Sequence, residues 1–287
     1  MDLFFDLLRS VIYGVIEGIT EWLPISSTGH MILAEQVLKF SFSAEFMEMF
    51  RVVIQLGAIL AVVVMYFKKL WPFCVDNGRD SGLAKHVRWP VMRLWFKIIV
   101  ACLPAAVLGL ALDDWIDAHF YNSVVVAVML IVYGIAFILI ERRPRVPTTT
   151  KLSRITYKQA LIVGAWQVLA LIPGTSRSGS TIIGGLLCGM SRPAASQFTF
   201  FLAIPVMFGA SALKLVKYFI KGGTFGANEV AILGVGCVVA FVVSLIAIKW
   251  LMGFVRRHDF KCFGVYRIIL GIVVLAYFFV LEPMLGL

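Results

Sequence analysis

Charge is what this 287-residue chain lacks: 15% of its residues are Asp, Glu, Lys or Arg, against 61% hydrophobic, and the mean hydropathy is +0.94. Soluble domains carry about 25% charged residues. The shortfall excludes an ordinary soluble enzyme, a disordered chain and a nucleic-acid binder. A cysteine framework is also missing. Cys74, Cys102, Cys188, Cys237 and Cys262 show no CxxC spacing and mostly lie in apolar runs, which excludes a disulfide or zinc scaffold. There is no basic n-region either: Asp2 and Asp6 stand in its place, so no cleavable signal peptide is expected. The charge that is present is unbalanced, 26 Lys+Arg against 16 Asp+Glu, a net +10. In a chain this apolar the excess reads as basic loops on the cytoplasmic side of a membrane.

A helix needs about 20 apolar residues to cross the hydrocarbon core. Six stretches reach that length, about 47–67, 95–112, 121–140, 197–219, 229–251 and 264–282. Two further apolar segments are interrupted. Residues 3–38 contain Glu17, Glu21, Pro24 and the run Ser26-Ser27-Thr28-Gly29-His30. Residues 157–190 contain Pro173-Gly174-Thr175-Ser176-Arg177-Ser178-Gly179-Ser180-Thr181. Non-helical backbone at membrane depth is tolerated only where protein or water covers it. Both segments are therefore expected to be re-entrant helix hairpins with polar tips.

The interrupted segments resemble each other at an offset of 150: Gly14 with Gly164, Glu17 with Gln167, Ser26 with Ser176, Thr28 with Ser178, Gly29 with Gly179. Gly57-Ala58 likewise resembles Gly209-Ala210. The expectation is an all-α polytopic membrane protein, a single membrane domain over 1–287 built as an inverted-topology repeat. Repeat one is 1–140, hairpin 3–38 plus three spans; repeat two is 157–282, hairpin 157–190 plus three spans. In such repeats sites lie near the midplane, where broken helices meet. Nineteen Lys and Arg, from Lys68 to Arg267, fall on one face, and six, Arg9, Lys39, Arg51, Lys214, Lys217 and Lys221, on the other. The first face is then cytoplasmic, and both termini and the first hairpin face outward.

Ionisable groups at membrane depth are functional candidates by default. Glu17 and Glu21 are four apart and share a helix face. Two adjacent carboxylates repel unless a shared proton or a metal relieves them, and oxygen ligands suit Mg²⁺ or Ca²⁺. Solvated carboxylates at a helix end are the plain alternative. Ser26, Ser27, Thr28 and His30 follow a proline break. They form a base-and-nucleophile set, with simple N-capping as the alternative for any one hydroxyl. The second tip, Gly174 to Gly179 followed by Ser180-Thr181, resembles a phosphate-binding loop without its lysine. Glycines admit close backbone approach there, and Arg177 offers a bidentate fork for phosphate oxygens. A structural Arg177 paired with Glu17 or Glu21 is the competing reading.

The strings Glu17-Gly-Ile-Thr-Glu21-Trp-Leu-Pro-Ile-Ser26-Ser27-Thr28-Gly29-His30 and Pro173-Gly-Thr-Ser176-Arg177-Ser178-Gly-Ser-Thr181 closely resemble the undecaprenyl-diphosphate phosphatase (bacitracin-resistance) family, as does Val53-Ile54-Gln55-Leu56-Gly57-Ala58. The resemblance runs over essentially the whole chain. It implies an integral hydrolase of the bacterial plasma membrane that removes the terminal phosphate of a C55 isoprenoid diphosphate on the outer face. Recycling of the carrier lipid for peptidoglycan synthesis, and bacitracin resistance, follow from that activity. It also implies a divalent cation. In this reading Ser27 is the preferred nucleophile, with water or His30 itself as alternatives. His30 is base or leaving-group acid, and Glu17 and Glu21 are metal ligands or a proton relay. Arg177, Ser26, Thr28, Gly174, Ser176, Ser178 and Thr181 hold phosphate. The competing class is an inverted-repeat transporter or flippase for a phosphorylated lipid or anion, for which a carboxylate pair has no use. A homo-oligomer stays open, and no nucleic-acid partner is expected.

Overall fold

The computed structural model describes residues 2–38, 42–75, 78, 82–142 and 146–281. The described chain is helical, with no strand beyond two isolated bridges. Six helical stretches are long and apolar enough to cross a membrane: Glu45–Met65, Trp89–Leu112, Ser123–Arg142, Arg192–Ile220, Ala227–Phe254 and Lys261–Leu281. They hold 20 to 29 residues. At 1.5 Å per residue this gives roughly 30–44 Å, enough for a hydrocarbon core of about 30 Å. All six coincide with the stretches read from the sequence. Side chains such as Leu110, Val107 and Ile246, more than 60% exposed, form the outward apolar surface a bilayer would cover.

Helices α1 (Asp2–Thr20) and α2 (Ser27–Val37) flank the first break. Helices α3 (Ala44–Met65), the short α4 (Phe67–Leu70), α5 (Trp89–Phe120) and α6 (Ser123–Arg142) follow. Helices α7 (Tyr157–Val168), extended by a 3-10 turn over Leu169–Leu171, and α8 (Arg177–Leu187) flank the second break. Then come α9 (Arg192–Ile220), α10 (Ala227–Phe254) and α11 (Lys261–Ala276). Packing pairs α1 with α10 and α7 with α5, while α3 lies on α9 and α6 on α11. Small residues let the backbones close. A Cβ added at Gly14 would meet the Gly236 carbonyl oxygen at 2.8 Å, and one at Gly164 would meet that of Ala101 at 2.3 Å.

The two breaks share one local conformation. Ser26 (φ 72°) and Ser176 (φ 69°) are the non-glycine residues with left-handed backbone among those described. Each caps the helix that follows, its hydroxyl accepting from the backbone N–H of Gly29 or Gly179 at 3.4 and 3.2 Å. Left-handed backbone disfavours most side chains, and a short hydroxyl that caps locally is among the least costly residues there. The breaks are covered by protein. Trp22, Leu23 and Ile25 belong to the same buried cluster as Ile182, Ile183, Phe198, Phe200, Phe201 and Leu202, with Trp22 edge-on to Phe200 at 5.3 Å.

Arg267 corrects the charge count made on the sequence. Counted among the cytoplasmic loop cations, it lies instead on α11 and is wholly buried. Six residues into an apolar helix, an arginine cannot be told from an interfacial one by loop counting. Without it the bias is eighteen to six, nineteen less one.

Candidate active site

Arg267 shows how the breaks are joined. Its Nη1 donates to the Pro24 carbonyl at 3.2 Å, and its Nη2 donates to those of Gly174 and Thr175, both at 2.9 Å. Longer contacts reach Leu130 and Met129 on α6 at 3.4 Å, and the guanidinium lies 5.5 Å from the centre of the Tyr133 ring. One cation thus gathers carbonyls from both breaks. Gly174 itself must be glycine: its φ is +88°, and a Cβ would sit 2.5 Å from the Val126 carbonyl oxygen. Ser178 adds a second tie, its hydroxyl donating to the Leu23 carbonyl at 3.2 Å.

Across this junction Arg177 meets Glu21. Nη2 and Nε donate to Glu21 Oε1 at 3.0 and 3.3 Å, and Nη1 donates to the Thr199 carbonyl at 3.0 Å. The pairing that the sequence left as an alternative is therefore present. The Arg177 and Glu21 side chains are 11% and 9% exposed, and such a buried pair is held by geometry more than by net energy. Glu21's other oxygen, Oε2, accepts from the Ser27 hydroxyl at 3.0 Å. Arginine, carboxylate and serine form a chain of contacts across 156 residues of sequence, 21 to 177.

His30 stands elsewhere. Its Nδ1 donates to the Ser26 carbonyl at 2.7 Å. That fixes the neutral tautomer in which Nε2 accepts from the Tyr266 hydroxyl, also at 2.7 Å. The ring stacks on Tyr266 at 5.6 Å. The expected partnership of His30 with Ser27 is thus not formed; the group holding Ser27 is Glu21. Helical spacing puts Ser27 and His30 on one face, but the ring turns away to the preceding carbonyl.

A cavity of about 640 Å³ reaches the first break. Glu17, Ser27 and Thr28 line it, with Leu171 and Pro173 from the second break. Its wall continues along Glu45, Glu48, Arg51 and Gln55 of α3 and Tyr121 beyond α5 to Lys214 and Lys221 at the end of α9. Arg177 and His30 do not line it, nor do Ser26, Gly174, Ser176, Ser178 and Thr181. Their polar atoms are engaged within the protein. Thr181 donates to the Arg177 carbonyl at 2.8 Å and accepts from Thr199 at 2.9 Å. The Ser176 and Ser178 hydroxyls lie 3.2 Å apart. The wall cations Arg51 and Lys214, each ion-paired to a carboxylate, Glu35 or Glu48, were read only as loop charges. Their positions on α3 and α9, far apart in sequence, gave no signal of a shared cavity.

Glu17 is 1% exposed, and its Oε1 has no hydrogen-bond partner. No cluster of three or more His, Cys, Asp or Glu capable of holding a metal occurs among the described residues. An unpartnered carboxylate oxygen on a cavity that admits phosphate oxygens and water fits a hard cation held through one or two carboxylates, as is usual for Mg²⁺.

Such a helical bundle, with a serine, a carboxylate and an arginine joined at two covered helix breaks, has the parts of an integral membrane enzyme of phosphoryl chemistry. Comparison with known proteins makes this specific. The chain belongs to the family described as bacitracin resistance protein BacA, which matches residues 10–273. The undecaprenyl-diphosphatase of Enterococcus faecalis is 58% identical over 277 residues, covering 96% of this chain and 98% of that protein. That of Desulfitobacterium hafniense is 57% identical, covering 95% and 96%. The Lactococcus lactis enzyme is 54% identical, covering 95% and 97%.

Proposed function

We infer that the chain hydrolyses undecaprenyl diphosphate to undecaprenyl phosphate and inorganic phosphate. This recycles the carrier lipid for peptidoglycan synthesis and confers resistance to bacitracin. Family membership and the named relatives support the activity. The contact that carries its chemistry is that of Ser27, whose side chain lines the cavity and whose Oγ donates to Glu21 Oε2 behind the wall at 3.0 Å.

In this reading the Ser27 oxygen attacks the terminal phosphorus. The new O–P bond forms as the anhydride P–O bond breaks, and the leaving oxygen stays with the prenyl phosphate. Glu21 takes the hydroxyl proton, at the oxygen that already accepts it. Arg177, on Glu21's other oxygen, keeps that carboxylate aimed at Ser27. Water then cleaves the serine phosphate and releases inorganic phosphate. Glu17 is the group that would hold a divalent cation, which when bound supplies charge neutralisation for the phosphate oxygens. His30, tied to Ser26 and Tyr266, fixes the start of α2 in this scheme.

The eighteen-to-six charge bias supports a plasma-membrane orientation with the cavity mouth outward, because Arg51, Lys214 and Lys221 lie on the poorer side. The shared left-handed serines and the paired packing of α1 on α10 and α7 on α5 support an inverted repeat with re-entrant hairpins. The test is phosphate release from C55 diphosphate by the purified chain in detergent, with and without chelator. Turnover abolished by chelator and restored by Mg²⁺ or Ca²⁺ is expected. No release under any metal condition refutes the activity, and turnover indifferent to chelator refutes the cation.

A further inference from the structure

The arginine assigned to phosphate from the sequence is spent on Glu21 and Thr199 and lies off the cavity wall. Among the residues lining the cavity, the cations are Arg51, Lys214 and Lys221. Lys214 is ion-paired with Glu48. Lys221 caps the end of α9 and is exposed. Arg51 differs from both. It is mostly buried, with 22% of its side chain exposed, and only Nη1 contacts Glu35. Its Nε–Nη2 edge meets no acceptor among the described residues. The Tyr121 ring, 5.9 Å away, braces the guanidinium. A planar edge with two parallel N–H donors, on a braced side chain that lines the cavity, matches two oxygens of one phosphate.

Position along the wall says which phosphate. Ser27 and Glu17 mark the end at the breaks, while Glu45 and Lys221 mark the end where α3 begins and α9 finishes. Arg51 lies seven residues into α3, about 10 Å from its start at 1.5 Å per residue. With the terminal phosphate at Ser27, the phosphate towards the mouth is the one that carries the prenyl chain.

We propose that Arg51 is a substrate-binding residue that grips the prenyl-side phosphate through its Nε–Nη2 edge while Glu35 retains Nη1. The prenyl monophosphate product keeps that phosphate, so Arg51 holds substrate and product alike. Interactions made equally in ground and transition states set KM and leave kcat. This proposal rests on the hydrolysis inferred above, and its test separates the two.

Purified full-length wild type, Arg51→Gln, Arg51→Lys and Glu35→Gln are assayed on C55 diphosphate, with inhibition by C55 monophosphate and by inorganic phosphate. Arg51→Gln is expected to raise KM about ten- to a hundredfold with kcat nearly unchanged. It should weaken monophosphate inhibition in proportion and leave inorganic phosphate inhibition alone. Arg51→Lys should recover part of the loss, and Glu35→Gln should leave KM at or below the wild-type value. Unchanged KM in Arg51→Gln, or kcat falling at constant KM, overturns the assignment. If Arg51→Gln does not fold, the other two variants decide. Glu35→Gln raising KM as far as Arg51→Lys does would make the ion pair structural and overturn the proposal. A wild type that releases no phosphate refutes the hydrolase reading instead.

Discussion

Replacing Arg267 by methionine keeps an unbranched side chain of similar reach and removes every donor. In the native protein the guanidinium serves five carbonyls. Those of Met129 and Leu130 lie within α6, where helical bonds already use them. Those of Pro24, Gly174 and Thr175 lie in the breaks, outside any helix. The loss is therefore three carbonyls without a donor. At about 1 kcal/mol or somewhat more each, the cost is about 3–4 kcal/mol. Relief of the desolvated charge offsets part of this. The offset is incomplete because the breaks are packed among Trp22, Ile182 and Phe200 and water does not reach the abandoned oxygens. At roughly 2–4 °C per kcal/mol the midpoint should fall by about 10 °C. Thermal unfolding of the two purified proteins in the same detergent reads this directly. Turnover measured well below both midpoints should also fall, since Arg177 and Ser27 sit on the two elements that Arg267 ties. Arg267→Lys, with three donors on a flexible stem, should fall between the two. A methionine variant melting within about 2 °C of wild type, with unchanged kcat, would refute the reasoning.

Ser27→Ala should abolish turnover, whereas Ser26→Ala should lose only a cap worth about 1 kcal/mol; rapid acid quench with substrate labelled at its terminal phosphate, followed by mass spectrometry, should find label on Ser27. Inversion at a chiral terminal phosphorus, with unlabelled protein, would transfer the attack to water. Glu17→Gln should weaken the apparent metal affinity in a titration of activity, because the unpartnered Oε1 is lost as an anionic ligand; superimposable titrations in a residually active variant would make Glu17 structural. Gly174→Ala should cost several kcal/mol by thermal melting, since a Cβ meets the Val126 carbonyl oxygen at 2.5 Å on a backbone with φ +88°; a melt unchanged from wild type would mean that the break relaxes freely.

The six spans and both breaks were legible because membrane thickness sets a minimum apolar length and because proline, glycine and serine runs end helices locally. Ser26 and Ser176, aligned by residue type alone, do share a left-handed cap. Gly14 and Gly164 both approach a neighbouring backbone oxygen, whereas Gly57 and Gly209 differ in their surroundings. A Cβ at Gly57 would lie 2.1 Å from the Cys237 carbonyl oxygen, while one at Gly209 meets nothing within 4 Å. Within the site, the residue types were legible and their partners were not. Whether Arg177 faces a ligand or Glu21, and whether Ser27 turns to His30 or to Glu21, depends on side-chain directions settled by packing between segments far apart in sequence. Arg267 and Arg51 were hidden for another reason. Charge counting treats every Lys and Arg near a span end alike, and only burial separates a solvated cation from one that holds backbone or faces a cavity.

The tie that Arg267 makes between the breaks also bears on motion. Carriers built from broken helices work by rocking one bundle against another around a fixed site. Here a single guanidinium on α11 is fastened to Pro24 in one break and to Gly174 and Thr175 in the other. Prising the two halves apart at this seam would strip a charge of its acceptors in a dry interior on every cycle, a toll of several kcal/mol before any cargo moved. A seam stapled in this way suits a stationary workbench: the lipid head travels in and out, and the protein around it stays still.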